Sequence, residues 1–299
     1  MVITGTTKIL SVIGNPISHS LSPIIHNAAI DHLGLDYRYL AFPVAPDRLA
    51  TALDGFAAIG LVGASVTIPH KQTIMPLLAE ITPLAQAVGA VNTVWNTAAG
   101  WHGTNTDVAG FVSPLAAMQR DWSSTTVVVL GNGGAARAVV VGCHQLGCGK
   151  IHVVGRDAAK LDRFKSSWMD IQLPLTGSET PKQIVIETHL WAELPALISK
   201  DNLLIVNSTP IGMYPHVEDS PIGVEMIESI GVDSIAYDLI YTPQPTKFLQ
   251  LAKDAGMIAI DGTEMLVQQG AAAFELWLKQ PAPIEIMRQA LIQQLKAKR

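Results

Sequence analysis

Apolar and polar positions along this chain follow two rhythms: short apolar runs that read as buried strands, and longer stretches with apolar residues every three or four positions that read as helices. Strands are predicted over residues 8–13 (KILSVI), 37–44 (YRYLAFPV), 61–68 (LVGASVTI) and 91–96 (VNTVWN), with helical stretches such as 23–33 and 46–58 between them. A second series begins at Thr125, with strands near 125–130, 150–154, 184–187, 203–207 and 234–239, and a strand near 257–260 to complete it. Alternation of this kind builds mainly parallel sheets. The reading is two α/β domains with a cleft between them, joined by the amphipathic segment 107–120. The first spans 1–107 and the second 108–260, while helices over 261–299 come too late to extend the second sheet and are expected to pack on the first domain.

Composition narrows the function. A chain of 299 residues that is 48% hydrophobic gives each of two domains a substantial core. The formal net charge of −5, without any Lys/Arg run, argues against nucleic-acid and anionic-membrane partners and favours a small polar substrate. The N-terminal MVITGTTKIL lacks the pattern of a secretory signal, and no apolar run approaches the ~20 residues of a membrane span, so a cytoplasmic protein is expected. Cys143 and Cys148 stand five apart without metal-ligand spacing and are expected to be buried free thiols, and His19 and His26 have no partner at metal spacing. No metal is expected.

The most informative stretch is GNGGAAR, residues 131–137, where the apolar run Thr125–Leu130 gives way to a helical pattern. Gly131 can turn tightly out of the strand, Gly133 lets backbone approach a pyrophosphate, and Gly134 with Ala135 leaves room for helix and strand to pack. The helix then aims its free N–H groups and positive dipole end at the phosphates. The 108–260 domain is accordingly expected to be a Rossmann-type dinucleotide-binding domain.

The end of the following strand bears on which nicotinamide cofactor binds. Where an NAD site carries an acidic residue, this chain has Gly155, then Arg156 and, further on, Lys160. Arg156 can fork onto a 2′-phosphate, and Gly155 leaves space where a carboxylate would repel one, which favours NADP. Asp157 could take the ribose hydroxyls of NAD, but its place before AAKLDRF suits an N-cap better.

In the first domain, SHSLSP places Ser22 as an N-cap with Pro23 at the first helical position, and Ser20 and Ser22 together offer two hydroxyls suited to a carboxylate. SVTIPHK sets Thr67 and Lys71 at the carboxyl end of a strand, where ligands collect in open α/β sheets. GTNTDVAGF places Asp107 at another turn into a helix, and Asn92 is a polar residue inside a strand-like run that must find a partner, for which a hydroxylated ligand would serve. Hydride delivery to a ketone requires a proton donor; Lys71 can supply it, with Asp107 holding the ammonium in place, while the competing His70 would point to the other side.

Together these segments resemble the shikimate dehydrogenase family. GNPISHSLSP, SVTIPHK, GAVNTV, GTNTD, GNGGAAR, NSTPIGM, YDLIYTPQPT and DGTEMLVQQGAAAF occur in the family's order between residues 14 and 274. The resemblance implies NADP-linked, reversible reduction of 3-dehydroshikimate to shikimate, on the way to chorismate and the aromatic amino acids. It implies a catalytic dyad of Lys71 and Asp107; a carboxylate site at Ser20 and Ser22; ring-hydroxyl binders Thr67, Asn92, Asp107 and Gln269; and a further substrate contact at Tyr237. For the cofactor it implicates the loop Gly131, Asn132, Gly133, Gly134 and Ala135, Arg156 with its neighbours Gly155, Asp157 and Lys160, and also Thr209, Ile235 and Gly262.

Four positions depart from the family pattern: Ser65 where Asn is frequent, Gly155 where Asn is common, Asp157 in place of a hydroxyl residue, and Asn132 in place of Ala. The rivals are an NAD-using quinate/shikimate dehydrogenase and a nucleotide-sensing regulator without chemistry, the latter opposed by the presence of both Lys71 and Asp107. A monomer and a homodimer are equally compatible with the sequence.

Overall fold

The computed structural model describes residues 2–198 and 202–297. The chain separates into two compact units, one made of residues up to Gly110 together with those from Leu266 onward, the other of Phe111–Met265. The first segment runs β1 (Lys8–Gly14), α1 (Ser22–His32), β2 (Tyr37–Pro43), α2 (Leu49–Ala58), β3 (Gly63–Val66), α3 (His70–Thr73), β4 (Glu80–Ile81), α4 (Pro83–Val88), β5 (Thr93–Thr97) and β6 (Gly100–Thr104). Helix α5 (Asp107–Ala116) carries the chain into the second unit. There follow β7 (Thr126–Leu130), α6 (Gly134–Gln145), β8 (Lys150–Gly155), α7 (Ala158–Ser166), β9 (Gln172–Pro174), β10 (Pro181–Gln183), β11 (Glu187–Leu190), α8 (Leu194–Ile198) and β12 (Leu203–Asn207). After α9 (Val224–Glu228), β13 (Ile235–Asp238), α10 (Lys247–Asp254) and β14 (Ile258–Ile260), helix α11 (Gly262–Leu278) leads back to the first unit, which α12 (Ile284–Ala297) completes.

In the first unit the sheet order is β2-β1-β3-β5-β6-β4. β1 runs parallel to β2 and β3, and β4 to β6, whereas β5 is antiparallel to both its neighbours. The sequence reading missed β4 and β6. β4 has two residues, and β6 (GWHGT) offers a single large apolar side chain between two glycines, too little to register as a strand. β3 ends at Val66, short of the expected Ile68, because His70 N–H donates to Thr67 O (2.9 Å) and the chain turns at Pro69, which has no N–H to continue a ladder.

The C-terminal helices pack against this sheet and α1. Trp277 of α11 donates its indole N–H to Val94 O (2.9 Å), and its ring lies so close to β3 that a Cβ on Gly63 would stand 2.3 Å from Nε1. Met287 and Leu291 of α12 are fully buried, each such side chain contributing roughly 1.5–3 kcal/mol. Between these layers His26 is wholly enclosed, stacked on Tyr39 with ring centroids 4.2 Å apart, and burial pushes its pKa down to about 3.

The second unit holds a six-stranded sheet in the order β11-β8-β7-β12-β13-β14, every pairing parallel. Its central strands are near-continuous apolar runs, TVVVL in β7 and LLIVN in β12, as expected of strands covered on both faces. The strand expected near 184–187 lies instead at Glu187–Leu190. Ile184 and Ile186, which suggested the earlier start, are buried in the segment leading out of the small β9–β10 hairpin, where Ile184 N donates to Ile171 O (3.1 Å), so their apolarity reports burial and not pairing with β8.

Candidate active site

Three residues of the first unit, from the 65–71, 89–94 and 103–107 motifs, meet in one cluster. Lys71, on α3, donates from Nζ to Asp107 Oδ2 at 2.5 Å, with side chains 27% and 13% exposed, so the pair is accessible but partly screened from water. Its neighbour His70 turns the other way, into the core, with Nε2 2.8 Å from Val44 O. Asp107 opens α5 without capping it. Asn105 Oδ1 takes the N–H groups of Asp107 (3.0 Å) and Val108 (3.4 Å), which leaves the Asp107 carboxylate to other partners.

Asp107's second oxygen, Oδ1, accepts from Asn92 Nδ2 at 2.8 Å. The remaining Asn92 N–H goes to Thr106 Oγ1 (3.0 Å), and Asn92 Oδ1 accepts from Thr106 N (2.7 Å) and Thr93 Oγ1 (2.9 Å). The sequence leaves Asn92 in want of a polar partner; the fold supplies a complete set within the protein. Backbone bonds fix the segment itself: Val66 N donates to Asn92 O (2.7 Å) and Val91 N to Lys71 O (2.8 Å). Asn92 thereby sets the rotation of the carboxylate that holds Lys71.

Ser22 is not the cap of α1. The helix begins at Ser22 itself, with Leu21 in the cap position, and Ser20 Oγ accepts from Ser22 N (3.3 Å); the serine turn brings the chain into the helix one residue early. Pro23 falls in the first turn, where an N–H has no intrahelical partner and its absence costs little. Thr67 is half-buried, and its hydroxyl has no partner among the described residues. Gln269, on α11, donates Nε2 to Leu266 O of its own helix (2.8 Å). Ser65, one of the departures from the family pattern, accepts from the buried Tyr39 hydroxyl at 2.8 Å.

In the second unit Gly131 ends β7 with φ +102°, a conformation suited to glycine, and a Cβ there would lie 2.9 Å from Ser208 Oγ. It sits at the point where strand order reverses between β7 and β12, with Gly131 N donating to Val154 O (2.8 Å) and Ser208 N to Leu130 O (3.0 Å). No side chain caps α6, so its first-turn N–H groups are available to an anion, and Gly133 and Gly134 have nothing within 4 Å of a would-be Cβ. This corrects the expectation that Gly134 serves close packing. Close packing of α6 falls instead at Gly142, against helix α5, where a Cβ would meet Phe111 at 2.6 Å.

The space beside Gly155 is likewise filled. A Cβ there would stand 3.0 Å from Leu161 and 3.4 Å from the carboxamide carbon of Asn132, so glycine admits these neighbours and does not leave an empty berth. Asp157 caps α7, accepting from Lys160 N at 3.0 Å. Arg156 is exposed and without a partner among the described residues, and Lys160 Nζ is 3.9 Å from Asp157 Oδ2. Ile235 is fully buried at the amino end of β13, while Gly131 and Thr209 lie at the carboxyl ends of β7 and β12. Gly262 touches the chain beyond β13, its would-be Cβ 2.3 Å from Leu239 O. Tyr237 is fully buried, stacked on Phe111 (5.1 Å), and its hydroxyl has no partner among the described residues; burial pushes its pKa upward. Cys143 is a buried free thiol as expected, while Cys148 is only half-buried.

The sequence reading passed over one polar cluster. Asp238 accepts from Asn207 Nδ2 (3.0 Å), Thr246 Oγ1 (2.7 Å) and Ile240 N (3.1 Å), and Asn207 Oδ1 accepts from both N (3.1 Å) and Oγ1 (2.7 Å) of Thr209. Burial raises the Asp238 carboxyl to about 6 against the pull of those hydrogen bonds. The available signal was a polar residue closing an apolar strand in both LLIVN and IAYD.

An all-parallel six-stranded sheet with a glycine loop at its switch point, carried by a chain that also holds a lysine–aspartate pair on a second α/β unit, defines a two-unit α/β oxidoreductase. Comparison with known proteins narrows this class. Residues 12–94 match the family model described as the shikimate dehydrogenase substrate binding domain, and 262–292 that of the shikimate 5′-dehydrogenase C-terminal domain. The chain is 57% identical over 293 residues to the shikimate dehydrogenase (NADP(+)) of Microcystis aeruginosa, covering 98% of this chain and 99% of the relative. Among solved structures, a shikimate dehydrogenase in complex with NADP+ superposes with a TM-score of 0.86 at 35% identity, covering 98% of each chain. The Thermus thermophilus enzyme in complex with NADP(H) and shikimate gives a TM-score of 0.81 at 29% identity, covering 96% of this chain and 99% of that one. The chain belongs to the shikimate dehydrogenase family.

Proposed function

We propose that this protein is an NADP-dependent shikimate dehydrogenase that reversibly reduces 3-dehydroshikimate to shikimate, with Lys71 and Asp107 as its catalytic pair. The observation that carries the proposal is the Lys71–Asp107 contact at 2.5 Å, braced by Asn92. When bound, NADPH supplies the hydride. As the ketone oxygen gains negative charge, the Lys71 ammonium donates its proton to that oxygen; in the reverse direction the neutral amine accepts it. Asp107 holds the ammonium in one direction, and Asn92 holds Asp107.

Around this pair, we assign the ring carboxylate to the hydroxyls of Ser20 and Ser22, and the ring hydroxyls to Thr67, Asn92, Asp107 and Gln269, with Tyr237 as a further contact. The hydroxyls of Thr67 and Tyr237 support this assignment, since each is a polar atom without a partner among the described residues. Asn92 contributes mainly through Asp107, its own donors being committed. For the cofactor, the uncapped start of α6 and the open backbone at Gly133 and Gly134 fit a pyrophosphate, and the unpartnered Arg156, with Lys160 nearby, fits a 2′-phosphate. In this reading residues 1–107 form the substrate domain and 108–260 the NADP-binding domain, with 261–299 returning to the first; the enzyme works in the cytoplasm as a monomer or homodimer. No helix of the described residues is long and apolar enough to cross a membrane.

Steady-state rates with shikimate and quinate, each with NADP+ and NAD+, test the reading. Turnover of shikimate with NADP+ far above the other three pairs is the expected result. A preference for NAD+ or for quinate would replace it with the broader quinate/shikimate activity, and no turnover of any pair would favour the regulator.

A further inference from the structure

On the outer edge of the second unit's sheet, His152 of β8 and Glu187 of β11 stand opposite each other in the parallel register, and His189 follows Glu187 two residues on, so all three share one face. One atom from each converges: His152 Nδ1 is 3.0 Å from His189 Nε2, and Glu187 Oε2 is 3.4 Å from the first and 3.7 Å from the second. A point equidistant from those three atoms lies roughly 2.0 Å from each, the bond length of zinc to imidazole nitrogen and carboxylate oxygen. The side chains approach from two strands, His152 buried, His189 partly buried and Glu187 exposed, which leaves a fourth coordination position toward water. A further carboxylate lies nearby, beyond hydrogen-bond distance. Glu193, anchored by Leu190 N donating to its Oε2 (2.6 Å), has Oε1 3.9 Å from His189 Nδ1, the ring nitrogen that points away from the cluster.

We propose that His152, Glu187 and His189 form a binding site for a divalent transition metal, zinc in the first instance, which staples the edge strand β11 to β8. Two imidazoles, which are borderline ligands, beside a single carboxylate suit zinc and its neighbours and not calcium or magnesium, which take all-oxygen sites. The site takes no part in the proton transfer assigned to Lys71, and it does not depend on that assignment. Its effect is on stability, because a metal bound by the folded strands and not by the unfolded chain favours the folded state.

The test uses full-length protein stripped with chelator and then titrated calorimetrically with zinc chloride, with cobalt(II) as a spectroscopic substitute. One equivalent of zinc should bind, cobalt should give the visible absorption of a four-coordinate site, and zinc should raise Tm. His189→Ala and Glu187→Gln, both at side chains that are not in the buried core, should each weaken zinc binding at least about tenfold while shikimate turnover is unchanged. Failure of the wild-type protein to bind zinc, or zinc affinity as high as wild type in either variant, would overturn the site.

Discussion

Asn92 Nδ2 lies 2.8 Å from Asp107 Oδ1, on the opposite side of the carboxylate from the Lys71 ammonium, which is 2.5 Å from Oδ2. A carboxylate gripped at both oxygens cannot rotate away from the lysine. Asn92→Ala should therefore lower kcat by about 10²-fold through misplacement of the pair. Thermal stability should fall only modestly, and KM for NADP+ should change little. Full kcat in the variant would remove Asn92 from the positioning of Asp107.

Lys71→Ala should cut kcat by about 10²–10⁴-fold, the usual worth of a placed acid or base, while NADP+ binding measured by calorimetry is retained. Unaltered turnover would defeat the proton route. His70 is no substitute donor, since it is fully buried and committed to Val44 O.

Arg156→Ala should raise KM for NADP+ by about 10- to 100-fold, as expected from loss of a hydrogen bond between charged groups worth about 1.5–3 kcal/mol. KM for NAD+ should change little. Equal effects on the two cofactors would exclude a 2′-phosphate contact. Asp157→Ala should instead act on stability, by about 1 kcal/mol, because its carboxylate caps α7.

His26 should make the protein acid-sensitive. Burial holds its pKa at about 3 in the folded state, whereas the unfolded residue titrates near 6.5. Below pH 6.5 the unfolded chain binds a proton that the folded one refuses, so the stability present above that value is lost as pH falls toward 3. Between pH 7 and pH 5 the loss is about 2 kcal/mol. His26→Leu should abolish that part of the difference in urea unfolding between the two pH values. An identical pH dependence in the variant would show that another group is responsible.

Local patterning was sufficient for most strands of both sheets, because parallel strands buried on both faces are continuous apolar runs. It also placed the glycine loop and the cap at Asp157, each of which depends on neighbours within a few residues; the strand alternation invoked for His70 and Lys71 does not apply, because both lie on α3. It failed at β4 and β6, which are held by pairing and carry little apolar signal, and at Ser22, where the serine turn shifts the helix start.

Other features belong to tertiary structure alone. That Asn92 is satisfied by Asp107 and Thr106, and that Gly155 makes way for Asn132, are facts of packing between separate segments of the chain. The convergence of His152, Glu187 and His189 depends on strand register: residues 152 and 187 are neighbours only because β8 and β11 pair in parallel, and a shift of one residue would put their side chains on opposite faces. Periodicity records which residues avoid water. The distances that make chemistry arise only when separate elements are locked in register.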